Sequence, residues 1–216
     1  MQSDEAKMPM ITSLKLGVAT CALWLLSVSV CMGFDRGFEV IPLLGLQAGG
    51  TFQNEQNGKD LDIDEDICYG LAVDVDFNPD SYFEFLWMRQ DTKIDNPANP
   101  NQDLKFSINY FHFGSTYSWY HTDKFRPYVI ASIGATYFDP KKSSYDDELK
   151  FSMGVGIGLK YYITKHIGFM VEGRGFGTFM GGQTKIFCSS SHGCYITTSQ
   201  DILIQFQSHA GLIFRF

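Results

Sequence analysis

The chain has 216 residues and a net charge of −7, and it is rich in Phe (19), Tyr (11) and Gly (21). That length fits one domain or one barrel, and the aromatic–glycine mixture favours β structure with tight packing points. The negative charge excludes broad attraction to nucleic acid.

The N-terminus is set aside before any fold argument. After Lys7 and Lys15 runs LGVATCALWLLSVSVCMG, apolar and ending in small residues, the pattern of a secretory signal. Residues 1–33 are predicted to be that signal, cleaved within 29–33, which leaves 34–216 as one barrel domain. A start at Met8 or Met10 removes the unusual Asp4 and Glu5. An uncleaved anchor is the alternative; a lipoprotein at Cys31 is disfavoured by Val30 before it. Removing the segment takes two basic and two acidic residues, so the charge stays at −7. An exported chain can form disulfides. No second apolar run reaches helix-spanning length, so entry into a membrane requires a closed barrel, whose backbone groups all find partners.

The predicted elements then follow in chain order. A strand over 43–52 opens after Pro42, whose nitrogen cannot join a ladder and suits a strand start. Over 67–77, Ile67, Tyr69, Leu71, Val73, Val75 and Phe77 alternate with Cys68, Gly70, Ala72, Asp74 and Asp76. Over 82–90, Phe83, Phe85 and Trp87 oppose Glu84, Met88 and Gln90. The run 105–119 changes phase: Phe106, Ile108 and Tyr110 share one parity, Phe113, Tyr117 and Trp119 the other. A bulge near 111–114 or a misread face would explain this.

Further on, 125–138 sets Phe125, Val129 and Ile133 against Arg126, Tyr128 and Ser132. LKFSMGVGIGLKYY (149–162) interleaves Leu149, Phe151, Met153, Val155, Ile157, Leu159 and Tyr161 with Lys150, Ser152, three glycines, Lys160 and Tyr162. Over 167–179, Ile167, Phe169 and Val171 oppose Glu172 and Arg174; over 202–216, Ile204, Phe206, Leu212, Phe214 and Phe216 oppose Gln205, Gln207, His209 and Arg215. Period-two alternation of this kind means extended strands with one oily face. Long polar connections (53–66, 91–104, 140–148, 181–201) alternate with short ones (78–81, 121–124, 163–166), the rhythm of an up-and-down barrel in a membrane.

The inward face is decided by three features. Ser152, Gly154, Gly156 and Gly158 make a poor solvated surface. Most charges sit in the loops. The mid-strand charges Asp74, Asp76, Glu84, Arg126, Glu172, Arg174 and His209 come in both signs on shared faces, where they can pair inside, whereas an Arg facing the bilayer midplane costs about 2–4 kcal/mol. They are predicted to form an ionic network plugging a lumen that, at eight strands, has just enough room for side chains. The fold class is therefore all-β: an eight-stranded antiparallel up-and-down transmembrane β-barrel.

In RPYVIASIGATYF, GVGIGLKYYITKHIGFMVEGRG and the terminal AGLIFRF, the sequence resembles the small outer-membrane β-barrels of Gram-negative bacteria, of the OmpA-transmembrane-domain/OmpX type. The resemblance is one of pattern and spans the mature chain. It implies the bacterial outer membrane as location, membrane lipid and lipopolysaccharide as surroundings, and the barrel-assembly machinery as partner during insertion. Recognition by that machinery would fall on Phe214 and Phe216.

Cys188 and Cys194 bracket SSSHG in the last long loop and are expected to form a disulfide stapling a hairpin, with Cys68 left as an inward thiol. DLDIDED (60–66) fails as an EF-hand because Glu65 stands where Gly is needed, and reads as a solvated acidic loop. No catalytic, metal or cofactor site is predicted. Ser208 and His209 are neighbours on one strand and point to opposite faces; His112 and Ser115 also differ in parity unless a bulge intervenes. The predicted work is non-enzymatic, in envelope structure or in contact with an extracellular partner through the long loops. A lipid A-modifying enzyme, a soluble lipocalin-like binder and a channel are the alternatives.

Overall fold

The alternating segments all become strands. The computed structural model describes residues 37–54, 59–94, 104–120, 122, 124–141, 147–181, 184–189, 193–198 and 201–216; over 51–54, 59–62, 94, 104, 184–189 and 193–198 the description is of backbone alone. The predicted signal, 1–33, lies outside the described residues.

The strands are β1 (Phe38–Ala48), β2 (Thr51–Asn54), β3 (Lys59–Asp62), β4 (Asp66–Asn78), β5 (Ser81–Ile94), β6 (Leu104–Tyr117), β7 (Phe125–Pro140), β8 (Glu148–Tyr162), β9 (Ile167–Phe179), β10 (Thr184–Ser189), β11 (Gly193–Thr198) and β12 (Ile202–Arg215). Eight of them close a barrel in the order β1-β12-β9-β8-β7-β6-β5-β4. Two ribbons, β2–β3 and β10–β11, are built within the first and last long connections.

Short turns close one end of the barrel. Asn78 Oδ1 accepts the Asp80 N–H at 2.9 Å, and Thr164 Oγ1 accepts the N–H groups of His166 and Ile167. These are the side-chain-to-backbone turns that Asn and Thr favour.

Side-chain parity answers the question of polarity. On β8, Val155 and Ile157 are 66% and 60% exposed, while Ser152 and Lys160 are 0% and 1% exposed. Glu84, Glu172, Arg174 and His209 are buried with them. Large hydrophobic residues clothe the outside of every barrel strand, from Leu44 on β1 to Phe214 on β12. Such a wall is unstable in water and suited to acyl chains.

Three expectations are corrected. The first strand starts at Phe38, not after Pro42, and carries the proline in its interior. The β1–β4 ladder runs unbroken through Pro42, but the β1–β12 ladder skips Ile41 and Pro42 between Val40↔Phe214 and Leu43↔Gly211. Both missing pairs would need an N–H at position 42 reaching Leu212, which proline lacks. Second, β6 has no bulge: its pairing to β5 and β7 is continuous from Leu104 to Tyr117. The misread face is the explanation, since Phe106, Ile108 and Tyr110 point inward with His112 and Thr116. Third, DLDIDED is more than a solvated loop. Ile63 is buried at the barrel mouth, and its N–H donates to the Gly50 carbonyl at 2.9 Å.

Candidate functional site: a filled lumen

The interior is filled in layers. Nearest the short turns, β8 projects Lys160 between two carboxylates, with Nζ 2.6 Å from Glu39 Oε2 and 2.5 Å from Asp74 Oδ2. The same ammonium stands 3.7 Å from the centroid of the Tyr82 ring, a cation–π placement. Tyr162 O–H donates to Glu39 Oε1 at 2.7 Å. At the rim, Arg215 pairs with Asp76 and lies 3.5 Å from Glu39.

The next layer centres on Arg174. Its Nε donates to Glu172 Oε1 at 2.5 Å and its Nη2 to Glu84 Oε1 at 2.8 Å. Tyr128 O–H donates to the other Glu172 oxygen at 2.7 Å, and His209 Nε2 lies 3.4 Å from Oε1. Glu172 and Arg174 share a face because they are two apart on one strand. Buried charges persist only when paired and hydrogen-bonded, and both cations here meet two carboxylates each.

Above them, His112 places Nδ1 3.0 Å from Ser132 Oγ and Nε2 2.9 Å from Ser152 Oγ, edge-on to Phe176 at 4.9 Å. Glycine makes the room: a Cβ on Gly134 would lie 2.0 Å from the Phe111 carbonyl oxygen and 2.9 Å from the His112 ring. Tyr110 stacks on Phe176 at 4.3 Å and donates to Gln205 Oε1 at 2.5 Å.

Toward the long loops the filling is mixed: Leu86, Met88, Phe106, Ile108 and Phe138 are fully buried alongside Gln47, Gln90, Gln205 and the hydrogen-bonded pair Thr136 and Thr178. The 63–64 segment lies across this end: Thr92 Oγ1 donates to the Asp64 carbonyl at 2.9 Å, beside the buried Ile63.

The predicted ionic residues are thus brought together in part. Asp74, Glu84, Glu172, Arg174 and His209 lie in the two layers, and Asp76 sits at the rim. Arg126 faces inward but half-buried, 5.6 Å from the Tyr162 ring, with no carboxylate at ion-pair distance among the described residues. Sequence reasoning missed Glu39, Lys160 and Arg215. Lys160 was visible on the small-residue parity of β8; Glu39 was hidden by the misplaced start of β1. The histidine–serine contacts were also missed, because they join three strands and no spacing reveals them. Both ring nitrogens of His112 face serines, so no carboxylate orients the ring, and the group is 1% exposed.

Cys68 is buried in the lumen. The side chains of Cys188 and Cys194 lie outside the described residues, but the backbone register sets the two residues directly opposite each other. Phe216 stacks on Phe38 at 5.0 Å and exchanges backbone hydrogen bonds with it, so the C-terminus locks the closing seam. On the outer wall a hollow of about 440 Å³ lies among Phe125, Pro127, Ile157, Leu159, Val171, Gly173 and Ser208.

An inverted eight-stranded barrel, oily outside and ionic within, defines the class of integral membrane β-barrels. A family description, "Outer membrane protein beta-barrel domain", matches residues 20–187, and the chain belongs to that family. No curated protein matches the sequence. Among solved structures, neisserial surface protein A aligns with a TM-score of 0.55 at 12% identity, covering 84% of this chain and 97% of that one. OprG of Pseudomonas aeruginosa gives 0.53 at 12% identity, over 83% and 95%. The outer membrane protein AlkL gives 0.54 at 12% identity, over 85% and 92%. At these identities the likeness is one of fold. The protein resides in the bacterial outer membrane; barrels of this kind set short turns toward the periplasm and long loops outside.

Proposed function

We propose that this protein is a non-enzymatic outer-membrane barrel that works through its extracellular end, in envelope integrity or in contact with a surface partner. The observation that carries the reading is the filled lumen: two ion-pair layers, a histidine–serine layer and a layer of apolar side chains mixed with glutamines and threonines beneath the 63–64 segment. The burial of His112, at 1% exposure, and of the charged side chains around the lumen supports a barrel that neither conducts nor hydrolyses. The accessible, elaborated part of the chain is the loop end, where β11 runs beside β2. The Cys188–Cys194 disulfide fits this reading as a staple of the β10–β11 ribbon.

The test is reconstitution of the full chain in planar bilayers and in lipopolysaccharide-containing vesicles. The reading expects no stepwise conductance and no release of fatty acid. Reproducible conductance steps, or fatty-acid release that His112→Ala abolishes, would overturn it.

A further inference from the structure

We propose that the outer wall at β9, β12 and β1 is the contact face of a symmetric dimer, each copy seating its Leu44–Leu46 ridge in the hollow over Gly173 of the other. Between Val171 and Phe179 the lipid-facing parity of β9 is Gly173, Gly175 and Gly177. Glycine inside a strand weakens it, and its usual reasons are a bulge, a bend or the close approach of another group. β9 pairs without interruption to β8 and to β12, so no bulge is involved. Nor does the rest of the fold need the space. A Cβ on Gly173 would meet no atom within 4 Å and one on Gly177 only Ile202, at 3.6 Å, whereas one on the inward Gly158 would stand 2.4 Å from the Tyr128 ring. The room on β9 is left for something outside the barrel.

The hollow of about 440 Å³ that opens over Gly173 is bounded by Ile157, Leu159 and Val171 on one side and by Ser208 on the other. Ser208 lies directly opposite Gly173 in the β9–β12 ladder, at the centre of both strands and so at the middle of the bilayer. Its hydroxyl faces outward and has no hydrogen-bond partner among the described residues. A hydroxyl held in hydrocarbon without a partner costs free energy. An acyl chain would fill the hollow and leave that cost in place.

A second copy removes it. Chains inserted in one membrane share an orientation, so a two-fold axis between them runs along the membrane normal and joins residues of equal height. At Ser208 such an axis sets two hydroxyls face to face, each able to donate and to accept. The same rotation lays β9 of one copy against β1 of the other, because these strands flank β12 on opposite sides. β1 carries the complement of the hollow: Leu46, opposite Ser208 in the β1–β12 ladder, and Leu44 project at 64% and 63% exposure. Ridge meets hollow twice, once in each half of the interface. Lipid gives proteins no hydrophobic drive to associate; as between membrane helices, contact rests on close packing at small residues and on polar groups. Both coincide on this wall. The face lies on the barrel wall and away from the loops, so it stands or falls independently of the surface-contact reading.

The test places single cysteines on the wall of the full chain reconstituted in lipid vesicles. Ser208→Cys, oxidised and then boiled for a non-reducing gel, should cross-link to twice the mass several-fold more than Ser115→Cys, which lies outward on β6 across the barrel. The parent chain, with its own cysteines, sets the background. Gly173→Leu fills the hollow where space is open, so it should keep the mobility of a folded barrel on unboiled gels and bring the Ser208→Cys cross-link down to the parent level. Wild-type chains carrying one fluorophore each should bleach in two steps per complex, and Gly173→Leu chains in one. Cross-linking of Ser208→Cys no greater than that of Ser115→Cys, an undiminished yield with Gly173→Leu, or single-step bleaching of the wild type, as a hollow filled by lipid would give, overturns the proposal. If Gly173→Leu loses the folded mobility, Leu46→Ala replaces it by removing the ridge, with the same loss of cross-link expected and no loss overturning the proposal.

Discussion

Replacing Lys160 by methionine tests the inverted polarity at its most exacting point. The substitution keeps the length and volume of the side chain and deletes one charge. Two carboxylates then lose their cation. Glu39 retains the Tyr162 hydroxyl at 2.7 Å and Arg215 at 3.5 Å. Asp74 retains no described partner: its Oδ2 was held by Lys160 and its Oδ1 is already without a hydrogen bond. With both acids about 1–2% exposed, removing one partner of a buried pair costs about 3–5 kcal/mol. With a urea dependence of about 2 kcal/mol per molar, the unfolding midpoint in lipid vesicles should fall by about 2 M, read by tryptophan fluorescence and by gel mobility. The double variant Lys160→Met/Asp74→Asn should recover most of the loss, because the uncompensated charge is gone. A Lys160→Met midpoint within experimental error of wild type, or a double variant no better than the single, would refute the reasoning that Lys160 is a buried counter-ion.

Other outcomes follow from the same structure. Pro42→Val supplies the missing donor opposite Leu212 and should raise unfolding stability by about 1–3 kcal/mol, the cost of a buried polar group left unsatisfied; urea titration checks it, and protection of the new amide from hydrogen exchange locates the effect. Gly134→Ala drives a Cβ toward the Phe111 carbonyl and the His112 ring and should destabilise by about 1–3 kcal/mol through overpacking, measured in the same titration. If Cys188 and Cys194 are bridged, non-reducing mass spectrometry of the folded protein should show one accessible-on-unfolding thiol, Cys68, in the mature chain, and Cys188→Ser/Cys194→Ser should cost about 2 kcal/mol or less, as for closing a short loop.

Alternation alone was enough to read most barrel strands and the inversion of polarity, because lipid outside and paired charge inside impose a period of two on nearly every strand. It fell short where that contrast fails. On β6 the contrast reverses along the strand: in its upper half Phe106, Ile108 and Tyr110 point inward while Lys105, Ser107 and Asn109 take the outward parity, and lower down Phe111, Phe113 and Tyr117 face out. Hydrophobicity assigns the wrong face to the upper half. At Pro42 a sound local rule misled: proline is excluded from ladders on its donor side, yet its neighbour β4 needs nothing from that nitrogen. The error hid Glu39, the residue that ties the first strand to Lys160. The partners of His112 come from β7 and β8, 20 and 40 residues away in sequence, and such contacts are created by closure of the barrel.

The reversed pattern of β6 bears on why the lumen holds ion pairs at all. Buried pairs are a poor source of net stability compared with well-packed apolar side chains, and Leu86, Met88, Phe106, Ile108 and Phe138 show that this chain fills part of its lumen with apolar groups. What hydrocarbon cannot do is distinguish the two faces of a strand that is apolar on both. A one-residue slip turns every side chain to the other face. For β9 it would move Arg174, near the middle of the strand, onto lipid at about 2–4 kcal/mol, and strand Glu84 in the lumen without its guanidinium. For the upper half of β6 the same slip would bring Lys105, Ser107 and Asn109 inward in place of Phe106, Ile108 and Tyr110. The ionic layers therefore fix the register of β1, β4, β5, β8 and β9 directly, and β6 is held in place by pairing to β5, through His112, which reaches serines on β7 and β8, and through Thr116, whose hydroxyl bonds the Tyr82 backbone.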